Sequence, residues 1–165
     1  MTTYPSPNEL VTEFHETYGM PINPHPEPTV NYERIHMRYA LIAEEFVELT
    51  EALYGSEAAN TIKREIEIHV DQARYEADSL GRPLPLDVVE AADALADLVY
   101  VIYGAALESS IPLDPTLQEV QRSNMSKLGE DGLPIRREDG KIMKGPNYTA
   151  PDIRKVLFSH ADVSA

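Results

Sequence analysis

The chain has no cysteine among its 165 residues, which excludes disulfides, cysteine-ligated zinc, iron–sulfur clusters and a thiol nucleophile. Basic residues are also scarce. Only 14 lysines and arginines stand against 28 aspartates and glutamates, a formal net charge of −14. Binding to duplex nucleic acid or to an anionic membrane surface requires a surplus of basic side chains, so neither is expected as a partner.

Long apolar runs are missing as well. The longest, residues 98–107, has ten residues, whereas a helix needs about 20 to cross a bilayer. The first seven residues have neither the basic start nor the apolar core of a signal peptide, so we expect a cytosolic protein. Hydrophobic residues nevertheless make up 42% of the chain, which is enough for a folded core.

What the sequence does contain is helical patterning, with no alternation long enough for a sheet. Caps, glycines and prolines delimit five predicted helices: Ser6 to Gly19, Asn31 to Tyr54, Ser56 to Leu80, Asp87 to Ser109 and Asp114 to Lys127. No repeat of about 20–50 residues is present. We therefore predict one all-α domain, a helical bundle of about five helices spanning 1–165. Its parts are an N-terminal helix with a proline-rich connector (1–28), a helical core (29–127) and a tail (128–165).

The tail differs in composition from the helices. From Lys127 to Pro146 the chain holds four glycines, two prolines and five of its 14 basic residues. This segment is predicted to be an irregular basic loop with a small hairpin, followed by a last helical turn from Pro151. Basic charge on a loop of an acidic protein favours an anionic ligand, and a solvated arm is the alternative.

The fourth predicted helix combines an apolar surface with one acidic stripe. From Val88 to Leu107 it is apolar on nearly every side, which is typical of a buried helix. Glu90, Asp93 and Asp97 interrupt this pattern within an arc of about 60°. A solvated stripe near the helix start accounts for Glu90, but it accounts poorly for Asp97, which lies roughly three turns into the helix.

The second predicted helix supplies further carboxylates. Glu45 projects close to its apolar side, and Glu44 and Glu48 stand one turn apart on the adjoining edge. The apolar side itself comprises Ile42, Phe46, Leu49 and Leu53. Two carboxylate stripes that meet across a helix pair could hold Mg²⁺ or Mn²⁺, which prefer oxygen ligands, whereas a plain acidic surface is the alternative. The five histidines lack the spacing of a zinc or di-iron site.

These motifs resemble those of the all-α nucleoside triphosphate pyrophosphohydrolases, also called MazG-like proteins. Residues 38–48 resemble the family's Glu-Glu-x-x-Glu helix, and residues 93–100 resemble its second acidic motif. Residues 119–127, the tail at 137–146 and the pair Phe14-His15 match as well. The likeness covers nearly the whole chain. One departure is Ala94, where many members have Glu, so that Asp93, or Glu90 together with Asp93, would take its place.

The resemblance implies hydrolysis of a (deoxy)nucleoside triphosphate to the monophosphate and pyrophosphate, with Mg²⁺ as cofactor and Mn²⁺ as a substitute. The implied metal ligands are Glu44, Glu45, Glu48, Asp93 and Asp97. Glu44 or Glu45 would accept the proton of the attacking water. The implied substrate contacts are Arg38, Asn124, Lys127, Lys141 and Lys144.

Two other functions stay open at this point. One is phosphoribosyl-ATP pyrophosphohydrolase in histidine biosynthesis, which has a related fold and reaction. The other is a non-catalytic helical module that binds nucleotide and metal without turnover. The sequence does not identify the preferred base. The resemblance and the apolar fourth helix both favour a homodimer or a homotetramer, because so few helices cannot cover that helix on all sides.

Overall fold

The structure is a computed structural model, and it describes residues 4–24, 28, 32–81, 86–137 and 141–158. These residues form six helices: α1 (Pro7–Thr17), α2 (Tyr32–Tyr54), α3 (Ser56–Ser79), α4 (Val88–Glu108), α5 (Leu113–Met125) and α6 (Ile153–Phe158). Within the same residues there is no strand, only an isolated antiparallel bridge between Arg136 and Ile142. The all-α prediction is confirmed. The short hairpin and the helical turn after Pro151 are found as that bridge and as α6.

The helix ends follow local capping chemistry. Ser6 and Glu9 form the predicted capping box of α1, with the Glu9 amide donating to the Ser6 hydroxyl at 3.3 Å. Asp87 caps α4, because its carboxylate accepts from the amides of Val89 (3.0 Å) and Glu90 (3.1 Å). Ser56, expected as a cap, is instead the first residue of α3, and the preceding Gly55 takes the cap position without a side-chain hydrogen bond.

The chain divides into two compact units. The hairpin unit is His25–Ala94 and contains α2 and α3, whereas the tail unit comprises Met1–Pro24 and Leu95–Ala165. The boundary between them falls inside α4. None of the helices in the described part of the chain combines the length and the apolar character that crossing a membrane requires.

In the hairpin unit, α2 packs directly against α3. The two helices are separated by the single residue Gly55, whose φ of 88° is a conformation that glycine adopts without strain. Ala59 of α3 is 3% exposed, and Thr50 of α2 is 5% exposed, with its hydroxyl donating to the Phe46 carbonyl at 2.8 Å. This unit therefore has a narrow core along one side of each helix.

The expected apolar side of α2 is not that core. Ala43 and Val47 line the side that faces α3, whereas the four predicted core residues are exposed. Their exposed fractions are 41% for Ile42, 51% for Phe46, 52% for Leu49 and 64% for Leu53. The small residues allow α3 to approach closely, and the larger apolar side chains are left facing solvent in the single chain.

In the tail unit, α5 packs against both α1 and α6. Tyr18, which follows α1, is the largest fully buried side chain among the described residues. Its ring centre lies 4.4 Å from that of Phe14, and its hydroxyl donates to the Asn124 carbonyl at 2.7 Å. Burial raises the pKa of Tyr18, so the phenol stays protonated and continues to donate. One tyrosine thus ties the end of α1 to the end of α5.

The part of α4 in the tail unit has the apolar pattern of a buried helix but is mostly exposed, as expected for a chain with too few helices to cover it. Ala106, at 7% exposure, is its one buried residue, whereas Tyr100 and Leu107 are each 80% exposed. Tyr103 contacts α5 by donating to the Asp114 carboxylate at 3.0 Å. This helix therefore has more apolar side chains than the rest of the single chain buries.

Candidate active site

The hairpin unit contains a groove of about 500 Å³ between α2 and α3. Among its lining residues, several apolar side chains of both helices are half-buried, whereas the carboxylates and the lysine are exposed. The lining residues on α2 are His36, Tyr39, Ala40, Ala43, Glu44, Val47 and Glu48, and those on α3 are Lys63, Ile66, Glu67, Val70 and Asp71. Helical periodicity places the α2 residues on one side, since they recur every three or four positions.

Two of the predicted metal ligands, Glu44 and Glu48, stand in this groove one turn apart. Both side chains are exposed, so their carboxylates are open to solvent. Glu45 and Asp93 belong to the same unit and are also exposed, but they are not among the groove-lining residues. The structure therefore brings together one pair of the five predicted ligands in the hairpin unit.

The α3 wall of the groove adds carboxylates that the sequence pattern did not single out. Glu67 and Asp71 look like solvated surface on a polar helix, yet both line the groove opposite α2. Lys63 forms an ion pair with Glu67 at 3.9 Å. Glu67 and Asp71 directly follow Ile66 and Val70, just as Glu44 and Glu48 follow Ala43 and Val47. The same apolar–acidic pair, repeated four residues apart on both helices, was the sequence feature that could have indicated a shared groove.

Basic and imidazole groups cross between the two helices at the other end of the groove. The Arg74 guanidinium of α3 donates to Nε2 of His36 on α2 at 2.8 Å, which fixes that ring nitrogen as an acceptor. Arg38, a predicted substrate contact, is half-buried on α2. Burial lowers its pKa, and the charge of Arg34 one turn away lowers it further. Arg38 is not among the residues lining the groove.

The remaining predicted ligand, Asp97, is exposed on the part of α4 that belongs to the tail unit. Across residues 4–24, 28, 32–81, 86–137 and 141–158, no group of three or more aspartate, glutamate or histidine side chains stands close enough to hold a metal ion. The five-carboxylate metal site thus stays a prediction from the sequence.

The tail unit brings two of the predicted substrate lysines onto adjoining backbone. The amide of Gly145, which follows Lys144, donates to the Lys127 carbonyl at 3.0 Å, and the Lys127 amide donates to the Asn124 carbonyl at 3.2 Å. Gly145 is buried, and a Cβ on it would lie 2.7 Å from the Leu128 carbonyl carbon. Only a glycine permits this approach. Lys141 is exposed beside the bridge, where its carbonyl accepts from the Arg137 amide at 2.9 Å.

Tyr148 is a residue of this cluster that the sequence analysis did not identify. The Lys144 ammonium lies over its ring, 4.5 Å from the centre. The Ser123 hydroxyl, as a hydrogen-bond partner, lowers the pKa of Tyr148 most, and the charges of Lys144 and Lys127 lower it further. The phenol thus stands among donors and positive charge, in contrast to the carboxylate-lined groove of the hairpin unit.

A second set of contacts holds the end of the tail against α5. Arg122 donates to Glu119 through two nitrogens at 2.9 and 2.7 Å, and also to Thr149 at 2.5 Å and the Ala150 carbonyl at 2.9 Å. The Asp152 amide donates to Glu119 at 2.7 Å. Arg122 and this amide hold the pKa of Glu119 at about 2. We call these five residues the tail clasp; the Glu119–Arg122 pair has helical i,i+3 spacing, whereas no spacing along the chain indicates the contacts with residues 149–152.

Comparison with known proteins agrees with this architecture. The family model for phosphoribosyl-ATP pyrophosphohydrolase matches residues 11–124. The chain is also similar to the crystal structure of a proposed NTP pyrophosphohydrolase from Exiguobacterium sp. 255-15. The TM-score is 0.72 at 29% sequence identity, with 99% of this chain and 100% of that chain covered. Among curated proteins there is no significant match. Because the family model spans both carboxylate helices and most of the chain, this protein belongs to the phosphoribosyl-ATP pyrophosphohydrolase family, within the MazG-like all-α superfamily.

Proposed function

We propose that the protein is a Mg²⁺-dependent pyrophosphohydrolase that converts a (deoxy)nucleoside triphosphate to the monophosphate and pyrophosphate. The observation that carries the proposal is the pair Glu44 and Glu48, one turn apart in a groove and inside the region that matches the family. A solved structure that covers nearly the whole chain and is described as a proposed NTP pyrophosphohydrolase supports this substrate class.

The proposed reaction is a displacement at the α-phosphorus. A water oxygen bonds to that phosphorus, the bond from it to the bridging oxygen of the β-phosphate breaks, and pyrophosphate departs with the electron pair. The water's proton passes to a glutamate, for which Glu44 or Glu45 is the candidate. Both side chains are exposed on α2, so a substrate-bound water can reach them.

The donor chemistry of α2 fits a hard divalent cation, since it consists of carboxylate oxygens without a histidine or cysteine among the candidates. Glu44, Glu45 and Glu48 would hold it together with Asp93 and Asp97 of α4. When bound, Mg²⁺ offsets phosphate charge and lowers the pKa of a bound water, and Mn²⁺ shares this preference for oxygen ligands. The carboxylates of α2 need such a cation to approach a polyanionic substrate, because they would otherwise repel it.

For the substrate's phosphates we propose Lys127, Lys141 and Lys144, which belong to the basic segment of an acidic chain. Arg38 is proposed as a further contact. Asn124 is proposed for a base or sugar edge, because an amide side chain both donates and accepts. Its backbone carbonyl already accepts from Tyr18 and from the Lys127 amide, so its position at the end of α5 is well supported.

Phosphoribosyl-ATP is the second candidate substrate. The description of the matching family favours it. Both candidates place a phosphoanhydride next to an adenosine or other nucleoside moiety, so the carboxylates and lysines would serve either one. They differ in the extra ribosyl phosphate that phosphoribosyl-ATP carries on its base, which an assay with both compounds detects directly.

We also propose that the protein works as a homodimer or homotetramer, with a second copy of this chain covering α4. Leu95, Leu98, Val99 and Ile102 recur at helical spacing, and their exposed fractions are 46%, 43%, 56% and 50%. Single exposed apolar residues are common on monomers, but a continuous stripe is typical of an interface. We call these four residues the α4 stripe.

The function is tested by a pyrophosphate-release screen over canonical and modified nucleoside triphosphates and phosphoribosyl-ATP, with Mg²⁺, with Mn²⁺ and with neither. We expect metal-dependent release of pyrophosphate from at least one triphosphate. Turnover of phosphoribosyl-ATP alone would select the second candidate. Binding of nucleotide and metal without turnover of any compound would contradict the enzyme and favour a non-catalytic module.

A further inference from the structure

We infer that Tyr148 is a positioning residue that holds Lys144 beside Lys127, so that the two ammonium groups form one cradle for the pyrophosphate portion of the substrate. The inference rests on the proposed function and deepens it. The region that matches the family ends at residue 124, so the tail that carries Lys144 and Tyr148 lies outside that match.

The backbone places Lys144 beside Lys127. The Gly145 amide donates to the Lys127 carbonyl at 3.0 Å, and the Tyr148 amide donates to the Gly145 carbonyl at 3.1 Å. These two hydrogen bonds form a tight turn against the end of α5. Since the backbone at Gly145 also lies against the Leu128 carbonyl, residues 144–148 are held at the end of α5 by close packing as well as by hydrogen bonds.

The side chain of Lys144 lies over an aromatic ring. A lysine has four rotatable bonds and ordinarily samples many conformations on a surface. Here its ammonium stands 4.5 Å from the centre of the Tyr148 ring, within the range at which a ring face attracts a cation. The ring therefore directs an exposed lysine, and the Ser123 hydroxyl interacts with the phenol. Ser123 is 3% exposed, so the residues packed around it restrict where its hydroxyl can lie.

The cluster carries two positive charges, those of Lys127 and Lys144. The hydrogen bond from the Gly145 amide to the Lys127 carbonyl places the two lysines on adjoining backbone, and both of their charges lower the pKa of Tyr148, so both act near that phenol. Like charges repel each other, and a ligand with two or more negative charges removes that repulsion. A pyrophosphate group meets this requirement and offers several acceptor oxygens to ammonium and hydroxyl donors. A single carboxylate would neutralise only one of the two lysines.

The test compares Tyr148→Phe, Tyr148→Leu and Lys144→Gln with two control variants, Tyr75→Phe and Lys155→Gln. Tyr75 is 70% exposed on α3, and neither control residue belongs to the proposed site. Two quantities are measured for each: the kcat and KM of the best triphosphate, and the inhibition constant of sodium pyrophosphate in the presence of Mg²⁺. Thermal unfolding of every variant shows whether it is folded.

We expect Lys144→Gln to raise KM and the pyrophosphate inhibition constant about tenfold, the size of one charge-assisted contact. Tyr148→Phe keeps the ring under the ammonium and should raise both by about threefold, whereas Tyr148→Leu should approach Lys144→Gln. kcat should change by less than about twofold, because the cradle binds ground state and transition state alike.

An unchanged inhibition constant in folded Tyr148→Leu and Lys144→Gln would overturn the inference. So would a loss confined to kcat. A wild-type protein that hydrolyses no triphosphate would instead contradict the proposed function. In that case calorimetric titration of sodium pyrophosphate into wild type and Lys144→Gln still tests the cradle, because it requires no turnover; equal affinities would overturn it.

Discussion

The two units of this protein place their functional groups by opposite means. In the hairpin unit the groove is lined by two regular helices, and helical periodicity alone brings Glu44 and Glu48 to one side. In the tail unit, Lys127, Lys144 and Tyr148 lie on irregular backbone, where individual hydrogen bonds and one close glycine contact determine their positions. Side chains placed by a regular helix keep their positions when one backbone contact changes. Side chains on irregular backbone depend on each individual contact.

The units also differ in charge. The groove carries carboxylates on both walls, and the tail cluster carries ammonium groups around a phenol. For the proposed triphosphate substrate, the carboxylates would bind a divalent cation and the ammonium groups would bind the phosphates directly. We therefore expect substitutions in either unit to impair hydrolysis, those in the groove by weakening cation binding and those in the tail cluster by weakening phosphate binding.

The largest expected effect is on the groove. Glu48→Gln keeps the size of the side chain and removes its charge, so we expect a loss of about 100-fold or more in kcat/KM with little change in the midpoint of thermal unfolding. Glu51→Gln is the matched control, because Glu51 is exposed on the same helix and does not line the groove. Asp97→Asn tests the α4 carboxylate in the same assay. Full activity in folded Glu48→Gln and Asp97→Asn would show that the proposed metal site is wrong.

The second prediction breaks the irregular unit. Gly145→Ala places a methyl group 2.9 Å from the Lys127 carbonyl oxygen and closer still to that of Leu128, so the turn must shift. We expect a loss of about 1–3 kcal/mol in the free energy of unfolding and a raised KM. Asn147→Ala, at an exposed position of the same turn, is the control. Chemical denaturation measures the difference, and equal stability of the two variants would contradict the packing argument.

The third prediction concerns α4, the helix that the boundary between the units divides. Val99→Lys puts a charge in the α4 stripe, which is half exposed in the protomer. If a second copy covers the stripe, the dissociation constant of the oligomer should rise by about tenfold or more, as for a central interface residue. Leu133→Lys is the control, since Leu133 is 62% exposed on a turn. Sedimentation velocity measures both, and a monomeric wild type at micromolar concentration would refute the assembly.

The smallest expected effect is on the tail clasp and depends on pH. The pKa of Glu119 is lowered to about 2 from 4.5, so its ionised form stabilises the folded state. That contribution is complete above the unfolded pKa and disappears as the pH falls from 4.5 towards 2. We expect wild type to melt at a higher temperature than Glu119→Gln near neutral pH, and the difference to shrink at about pH 3. A constant difference over this range would argue that Glu119 acts through packing rather than charge.

Much of the helical architecture could be predicted from the sequence because its determinants are local. The Ser6 capping box and the Asp87 cap lie within a few residues of the helix ends they stabilise. The positions of Glu44 and Glu48 on one side of α2 follow from the turn of the helix. The exposed apolar residues of α4 agree with the expectation that so few helices cannot cover this helix, but an apolar pattern does not state what supplies the missing cover.

The carboxylates of α3 show the limit of a single-helix pattern. Glu67 and Asp71 are polar residues on a polar helix, and only the packing of α3 against α2 makes them walls of the groove. Tyr148 and the tail clasp lie further beyond such patterns. Arg122 and Thr149 are 27 residues apart in sequence, and no periodicity connects them.

By itself, the sequence determined that this is an all-α chain, that its acidic excess includes carboxylates beside apolar helix faces, and that its basic residues collect in the tail. Those features depend on residue type and on spacing within one helix. Only the tertiary structure decided which side of α2 meets α3, which carboxylates share a groove, and which lysine stands over Tyr148. Those outcomes depend on contacts between distant segments, where a close backbone approach at Gly145 or the bulk of a side chain selects one packing among several with the same local pattern.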